Sequence, residues 1–162
     1  MTPGQYEQLL AEIADGICRA APDLQSLVLG SGRNNKIEGA SGYGHQIDVS
    51  LQDPARLFII ECKYWTDRIG VQEVLVLCAR TIDIAGRLKG CSITPILVSV
   101  KGASAGAVKL ARHFGVTIEI AVSASEFGLR IGKFVTQAVT DRVVMSDHCE
   151  ATVLRNNVEV PP

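Results

Sequence analysis

Several common functional signatures are missing from this sequence. Its five cysteines form no C-x-x-C pair, so neither a zinc site of that spacing nor a dithiol redox motif is expected. Because their number is odd, we expect reduced thiols in an intracellular protein. The glycine-rich segment lacks the G-x-x-x-x-G-K-[ST] pattern of a phosphate-binding loop. An enzyme acting on a small-molecule substrate is therefore the function class that we least expect.

Long apolar runs are also missing. No stretch approaches the run of about 18 uncharged apolar residues that predicts a membrane span. The N-terminal sequence MTPGQYEQLLAEI lacks the positively charged start and long apolar run of a signal peptide. We therefore expect no membrane partner and a cytoplasmic location.

The charge of the chain is almost balanced. A formal net charge of −1 argues against a protein that coats nucleic acid through bulk charge, but it leaves room for a local basic patch. The length of 162 residues and the 47% hydrophobic content favour one domain with one sizeable core. We expect a single domain over residues 1–162, with its core in about 4–122 and a C-terminal extension over 123–162.

The hydrophobic periodicity predicts an α/β fold. A first helix is expected from residue 2, because Thr2 can cap it, Pro3 suits its first position and Gln5 completes a capping box. The strand–helix–strand order near the end of the core predicts a right-handed parallel crossover. The predicted helices cover 2–21, 67–88 and 103–114, and the predicted strands cover 24–29, 45–51, 57–65, 93–100 and 116–122. The apolar side of the long helix is predicted to contain Val71, Val74, Leu75, Cys78 and Ile82.

The glycine-rich segment 30–44, GSGRNNKIEGASGYG, is either a flexible loop or the tip of a hairpin. It carries Arg33 and Lys36, which we expect to contact DNA if the segment is more than a plain loop. His45 follows directly and is either solvated or a general base or phosphate contact.

The most informative pattern is a carboxylate followed by a second carboxylate and a lysine. In HQIDVSL the side chains of Ile47, Val49 and Leu51 are predicted to face one way, and Asp48 the other. If the turn at 52–56 makes a hairpin, Asp48 falls opposite the acid of FIIECKYW, with Cβ atoms about 5 Å apart.

This acid is Glu61, and Lys63 lies on the same strand face because side chains repeat every second residue. Two carboxylates can hold a hard cation such as Mg²⁺. The cation stabilises charge on a phosphate and acidifies a water, while a lysine can orient that water. The pattern predicts phosphodiester hydrolysis, and its structural alternative is a salt bridge between neighbouring strands, since unpaired charge is costly beside an apolar run.

At these residues the sequence resembles a known family. GYGHQIDVSL followed by FIIECKYW resembles the core of the PD-(D/E)XK nuclease superfamily, and within it Mrr-like restriction endonucleases. The later segment KGASAGAVKLARHFGVTIEI is similar to the strand–helix–strand part of that family. The resemblance covers about residues 4–122. Mrr-like proteins often carry glutamine where this sequence has Glu61, and glutamate is the more general choice of the superfamily.

The resemblance implies a restriction-endonuclease-like three-layer core, with a mixed central sheet flanked by helices. It implies that Asp48 and Glu61 bind Mg²⁺ or Mn²⁺ and that Lys63 is the catalytic lysine. In YEQLL, Glu7 is either an auxiliary acid near the metal or a solvated helix glutamate.

These patterns lead us to expect a metal-dependent endonuclease that acts on DNA as a homodimer. Its alternative is a non-catalytic DNA-binding or assembly module that keeps the same fold. Gln46 is predicted to share the strand face of Asp48, where it either contacts DNA or makes an ordinary strand hydrogen bond. Arg80, Arg87 and Lys89, near the long helix, form either a solvated face or part of a phosphate-binding surface.

Overall fold

The computed structural model of the protein describes residues 2–20, 28–63, 68–121 and Glu126. The predicted C-terminal extension lies outside these residues, apart from Glu126. The elements in chain order are α1 (Pro3–Ala20), β1 (Val28–Ser31), β2 (Lys36–Glu38), β3 (Gly44–Gln46), β4 (Val49–Gln52), β5 (Arg56–Lys63), α2 (Val71–Arg87), β6 (Ser92–Ser99), α3 (Ala105–Phe114) and β7 (Thr117–Ile120).

The central sheet has five strands in the order β1-β4-β5-β6-β7. The pairs β1–β4 and β4–β5 are antiparallel, whereas β5–β6 and β6–β7 are parallel. Helix α1 packs against β1, β4 and β5, while α2 and α3 pack against each other and against β6 and β7. The predicted α/β fold, with a mixed central sheet flanked by helices, is confirmed.

Strand β5 is the middle of the sheet and is buried on both faces. Leu57 and Ile59 point into an apolar cluster with Val74 and Leu77 of α2. Phe58 and Ile60 alternate with these residues, point to the other face of the sheet and are also buried. On that face they pair with Leu51 and Val49 of β4. The continuous apolar run of β5 therefore follows from its central position, where both faces are covered.

The predicted helix ends and crossover also agree with the structure. Thr2 Oγ1 accepts a hydrogen bond from the backbone N–H of Gln5, and Gln5 Oε1 accepts one from the backbone N–H of Thr2, which forms the predicted capping box. Helix α3 ends before Gly115, whose φ of 70° lies in the left-handed region that favours glycine. The strands on either side of α3 are parallel, as predicted.

The glycine-rich segment contains a separate two-stranded hairpin. Strands β2 and β3 pair with each other and not with the central sheet. The single strand predicted over 45–51 is therefore wrong, because the chain leaves the hairpin at Gln46 and enters the central sheet at Val49. Between them Ile47 packs into the cluster of α2, so the predicted common face of Ile47, Val49 and Leu51 is also wrong.

The predicted apolar side of α2 is wrong in part. Val74 and Cys78 are buried as expected, but Val71, Leu75 and Ile82 are 40%, 45% and 69% exposed. The buried stripe is instead completed by Leu77 and Ile84. No helix within the described residues is long and apolar enough to cross a membrane.

Candidate active site

The hairpin of β4 and β5 sets Asp48 opposite Glu61. The last residue pair of these antiparallel strands is Val49 with Ile60, so the next step of the register joins Asp48, directly before β4, to Glu61. The carboxylate Oδ2 of Asp48 accepts a hydrogen bond from the backbone N–H of Cys62 at 2.8 Å. The predicted convergence of Asp48 and Glu61 is present in the structure.

The turn between these strands fixes that register. Asp53 Oδ1 accepts hydrogen bonds from the backbone N–H groups of Ala55 and Arg56, at 2.8 and 2.7 Å. The other oxygen, Oδ2, binds the guanidinium of Arg56, with Arg56 Nε at 2.8 Å. Because a slip of one residue would send every side chain to the opposite face, this turn is what keeps Asp48 and Glu61 on the same face.

Glu61 is a buried carboxylate held between two cations. Its side chain follows Leu57 and Ile59 on the face covered by α2, and the residue is only 5% exposed. Lys63 Nζ donates to Glu61 Oε2 at 3.4 Å, and Arg80 of α2 donates through Nη1 to Glu61 Oε1. Two positive groups therefore compensate the charge that burial would otherwise make costly.

The titration of Glu61 reflects this environment. Burial, and next the negative charge of Asp48, raise the pKa of Glu61 above its ordinary value of 4.5. The positive charges of Arg80 and Lys63 lower this pKa and only partly offset the increase. A carboxyl of raised pKa beside a second carboxylate is common in catalytic sites, although structural ion pairs produce it as well.

A small cavity of about 130 Å³ opens beside Glu61 and Lys63. Strand β6 closes one side of it with Leu97. Helix α2 supplies the remaining lining residues, which are Gln72, Glu73, Val76, Leu77 and Arg80. The cavity therefore lies between the end of β5 and the first turns of α2. It combines the carboxylates of Glu61 and Glu73 with the cations of Lys63 and Arg80, and Asp48 is not among its lining residues.

The sequence did not identify the contributions of Glu73 and Arg80. Glu73 Oε2 accepts a hydrogen bond from the backbone N–H of Gly70 at 2.9 Å, at the start of α2. The sequence feature that could have indicated them is the helical spacing of residues 73, 77 and 80, because residues three and four apart lie on one helix face. This spacing assigns Glu73 and Arg80 to the site only once it is known that this face of α2 covers Glu61.

The predicted DNA contacts fall on or beside the small hairpin. Lys36 of β2 is paired directly with Gln46 of β3, and both are exposed. Arg33 is exposed in the turn that precedes β2. The backbone carbonyl of Gln46 accepts a hydrogen bond from Arg80 Nη1 at 3.4 Å, which connects the hairpin to the carboxylate site. Glu7 belongs to α1, but its side chain lies outside the described part of the structure.

His45 and Asp83 hold the hairpin against α2. His45 Nε2 lies 2.7 Å from Asp83 Oδ2, and the histidine side chain is only 12% exposed. Asp83 also accepts hydrogen bonds from the backbone N–H and the hydroxyl of Ser41, at 2.8 and 2.7 Å. These bonds from Ser41, and then the one to His45, lower the pKa of Asp83 from 3.8 to about 2. The expectation of a solvated His45 is wrong, because Asp83 recruits this ring to anchor the hairpin.

The donor set around Asp48 and Glu61 fits a hard divalent cation. Both side chains offer oxygen, the ligand that Mg²⁺ prefers, and Asp48, directly before β4, lies close to Glu61 of β5. No group of three or more His, Cys, Asp or Glu side chains suited to a metal occurs among the described residues. The two facing carboxylates are therefore the candidate, with waters or substrate oxygens needed to complete the coordination.

One comparison with a solved structure supports the fold of this chain, and none of the comparisons shows its function. No protein-family model and no curated protein matches this chain. The crystal structure of AF1548, a protein of unknown function, matches with a TM-score of 0.52 and 20% identity. That match covers 70% of this chain and 56% of AF1548, little more than half of that protein, and it shows a shared fold alone.

A repair endonuclease from Pyrococcus abyssi matches with a TM-score of 0.45 and 18% identity. This match covers 68% of this chain and 46% of the endonuclease. So weak a likeness carries no inference about the fold or the chemistry of this chain.

Proposed function

We propose that this chain is a nuclease that hydrolyses DNA phosphodiester bonds with the help of Mg²⁺ or Mn²⁺, and that it is related to Mrr-like restriction endonucleases. The observation that carries the proposal is the closeness of Asp48, directly before β4, to Glu61 of β5, with Lys63 two residues further along β5. The hydrogen bond from the Cys62 backbone N–H to Asp48 Oδ2 holds Asp48 beside this strand. A fold of this kind hosts many functions, so the proposal rests on the site and not on the architecture.

Each residue has a distinct role in this proposal. Asp48 and Glu61 bind the cation through their carboxylates. When bound, the cation neutralises charge on the phosphate and makes a water easier to deprotonate. Lys63 orients the attacking water or neutralises charge that develops on the phosphate, because its ammonium group lies at the edge of the same cavity.

DNA is the proposed substrate because the hairpin places positive charge near the site. Lys36 and Gln46 are neighbours across β2 and β3, and the carbonyl of Gln46 contacts Arg80, which in turn binds Glu61. A backbone phosphate bound at Lys36 would therefore lie on the side of the molecule that carries the carboxylates. Arg33, in the preceding turn, would extend this contact.

The test is cleavage of supercoiled plasmid and of linear duplexes, with Mg²⁺ or Mn²⁺ and with EDTA as the metal-free control. Metal-dependent nicking or cutting that is lost in Asp48→Ala supports the proposal. A wild-type protein that binds DNA but cleaves no DNA form with either metal would favour the alternative function of a non-catalytic DNA-binding or assembly module. Under that alternative, the charged residues around Glu61 form only a structural ion-pair network.

A further inference from the structure

Arg80 binds the carboxylate of Glu61, which a metal ion at this site would also need. Its Nη1 atom donates to Glu61 Oε1, while Lys63 Nζ takes the other oxygen, Oε2, at 3.4 Å. Both oxygens of Glu61 are thus bound by cations of the chain itself. A divalent ion that coordinates Glu61 therefore competes with at least one of these groups.

Arg80 has a second partner across the site. The same Nη1 atom lies 3.4 Å from the carbonyl oxygen of Gln46, on the hairpin. The Arg80 side chain is 30% exposed, so its guanidinium can move away from Glu61 and be solvated by water. Lys63, by contrast, is two residues from Glu61 on the same strand face and stays near the cavity.

We propose that Arg80 is an internal counter-ion that neutralises Glu61 in the metal-free protein and is displaced when a divalent cation binds, so that Arg80 sets the metal affinity of the site. The inference rests on the proposed function, because it requires Asp48 and Glu61 to be metal ligands. It adds a positioning residue on α2 that takes no part in the chemistry assigned to Lys63.

The physical argument is the cost of leaving a buried carboxylate alone. Glu61 is 5% exposed, and a buried charge without a partner is strongly unfavourable. The guanidinium of Arg80 supplies that partner in the metal-free protein and keeps the site folded. Metal binding must then break the ion pair between Arg80 and Glu61, which lowers the metal affinity. Removing the positive charge of Arg80 should therefore weaken the metal-free state and favour the loaded one.

The experiment measures Mn²⁺ binding without DNA, by isothermal titration calorimetry, for the wild type and Arg80→Gln. Glutamine keeps a hydrogen-bond donor for Glu61 and removes the charge. We expect the dissociation constant for Mn²⁺ to fall roughly two- to fivefold, as for loss of one competing ion pair. An unchanged or higher dissociation constant would overturn the proposal.

The matched control is Arg87→Gln, on the same helix two turns further along. Arg87 Nη1 pairs with Glu38 Oε1 at 3.1 Å, and both side chains are 52% exposed. This arginine does not line the cavity, so its replacement should leave Mn²⁺ affinity unchanged. An equal gain in both variants would mean that general charge, and not displacement at Glu61, controls the affinity, and would overturn the proposal.

A second variant protects the test against loss of folding. Arg80→Lys retains the charge but lacks the planar guanidinium, so its pair with Glu61 is expected to loosen. Mn²⁺ should then bind more tightly than to the wild type, by less than for Arg80→Gln. Unchanged or weaker binding in a folded Arg80→Lys protein would contradict the proposal.

The two proposals fail in different ways. If the wild type binds Mn²⁺ and cleaves DNA while Arg80→Gln binds Mn²⁺ no better, only the role of Arg80 is overturned. If neither protein binds Mn²⁺ and the wild type cleaves no DNA, the metal-dependent nuclease is overturned, and the role of Arg80 with it.

Discussion

Asp48, directly before β4, lies close to Glu61 of β5, and each is held by a different kind of partner. Asp48 accepts a backbone hydrogen bond from Cys62, whereas Glu61 is bound by the side chains of Arg80 and Lys63. Burial, and next the negative charge of Asp48, raise the pKa of Glu61. Two neighbouring carboxylates repel each other and attract cations, which is the physical reason for treating them as a candidate metal site.

Replacement of either Asp48 or Lys63 by alanine should abolish divalent-metal-dependent cleavage and leave the fold intact. Loss of Asp48 removes an oxygen ligand, so metal binding should weaken. Loss of Lys63 removes a cation beside Glu61, so metal binding should stay equal or become tighter. Plasmid cleavage and Mn²⁺ calorimetry measure the two effects separately, and circular dichroism monitors the fold.

DNA affinity in Ca²⁺ provides the control for these two variants. Binding should survive Lys63→Ala more readily than cleavage does, because the proposed phosphate contacts lie mainly on the hairpin. If both variants unfold, the three residues form a structural salt bridge and the active-site assignment is wrong.

The sequence predicted the central sheet and the main carboxylate pair because both depend on local patterns. The apolar run of β5 and the turn at Pro54 are visible in the residues, and they are sufficient to place Asp48 opposite Glu61. The crossover around α3 was equally visible, since its helix has an N-cap at Ser104 and a stop at Gly115.

The remaining features depend on contacts between distant segments. The alternation of polar and apolar residues continues through Ile47. The local sequence therefore does not indicate that the chain passes at this residue from the hairpin to the central sheet. Helix α2 has apolar residues on more than one face, and only its packing on the sheet decides that Leu77 is buried and Leu75 exposed. The same choice of face directs Arg80 to Glu61, which explains why periodicity alone could not assign that arginine.

The titration of Glu61 should respond to each neighbouring charge. Because the negative charge of Asp48 raises the pKa of Glu61, Asp48→Asn should lower it, and Arg80→Gln should raise it. Protons compete with metal at this carboxylate, so wild-type Mn²⁺ binding should weaken as the pH falls, already above the ordinary value of 4.5. The measurement is a carbon-detected NMR titration of the Glu61 carboxyl, and a shift of the same sign in both variants would contradict the assignment of charges.

DNA binding should weaken steeply with salt, because each phosphate contact releases counter-ions. Lys36→Ala should reduce the slope of log affinity against log salt by roughly one unit, as expected for one lost phosphate contact. Fluorescence anisotropy with a labelled duplex in Ca²⁺ gives both values. An affinity that stays constant between about 50 and 200 mM salt, a range in which phosphate contacts normally lose strength, would rule out this surface as the DNA contact.

The active form should be a homodimer, because cutting both strands of a duplex requires two sites and the described part of this chain offers one such carboxylate pair, Asp48 with Glu61. Light scattering should give twice the mass of 17.3 kDa, with or without DNA. A strictly monomeric mass in both conditions would contradict this prediction. Nicking of one strand by a monomer would still be compatible with the carboxylate chemistry.

The anchor between the hairpin and α2 can be tested at Gly39. A Cβ atom at this position would lie 2.0 Å from Asp83 Oδ2, and that carboxylate cannot retreat without losing its bonds to Ser41 and His45. Gly39→Ala should therefore destabilise the protein by about 1–3 kcal/mol, the usual cost of overpacking. Urea unfolding measures this loss, with Gly44→Ala as the control in the same hairpin.

A Cβ at Gly44 meets only ordinary contacts with Lys36, the nearest at 3.8 Å, so its replacement should change stability by no more than about 0.5 kcal/mol. Because the hairpin carries Lys36 and Gln46, Gly39→Ala should also weaken DNA binding. Mn²⁺ should still bind, since Asp48 and Glu61 are held by the separate β4–β5 register. Equal stability of the two glycine variants would show that Asp83 does not anchor the hairpin, and unchanged DNA affinity in a destabilised Gly39→Ala protein would remove the hairpin from the proposed DNA surface.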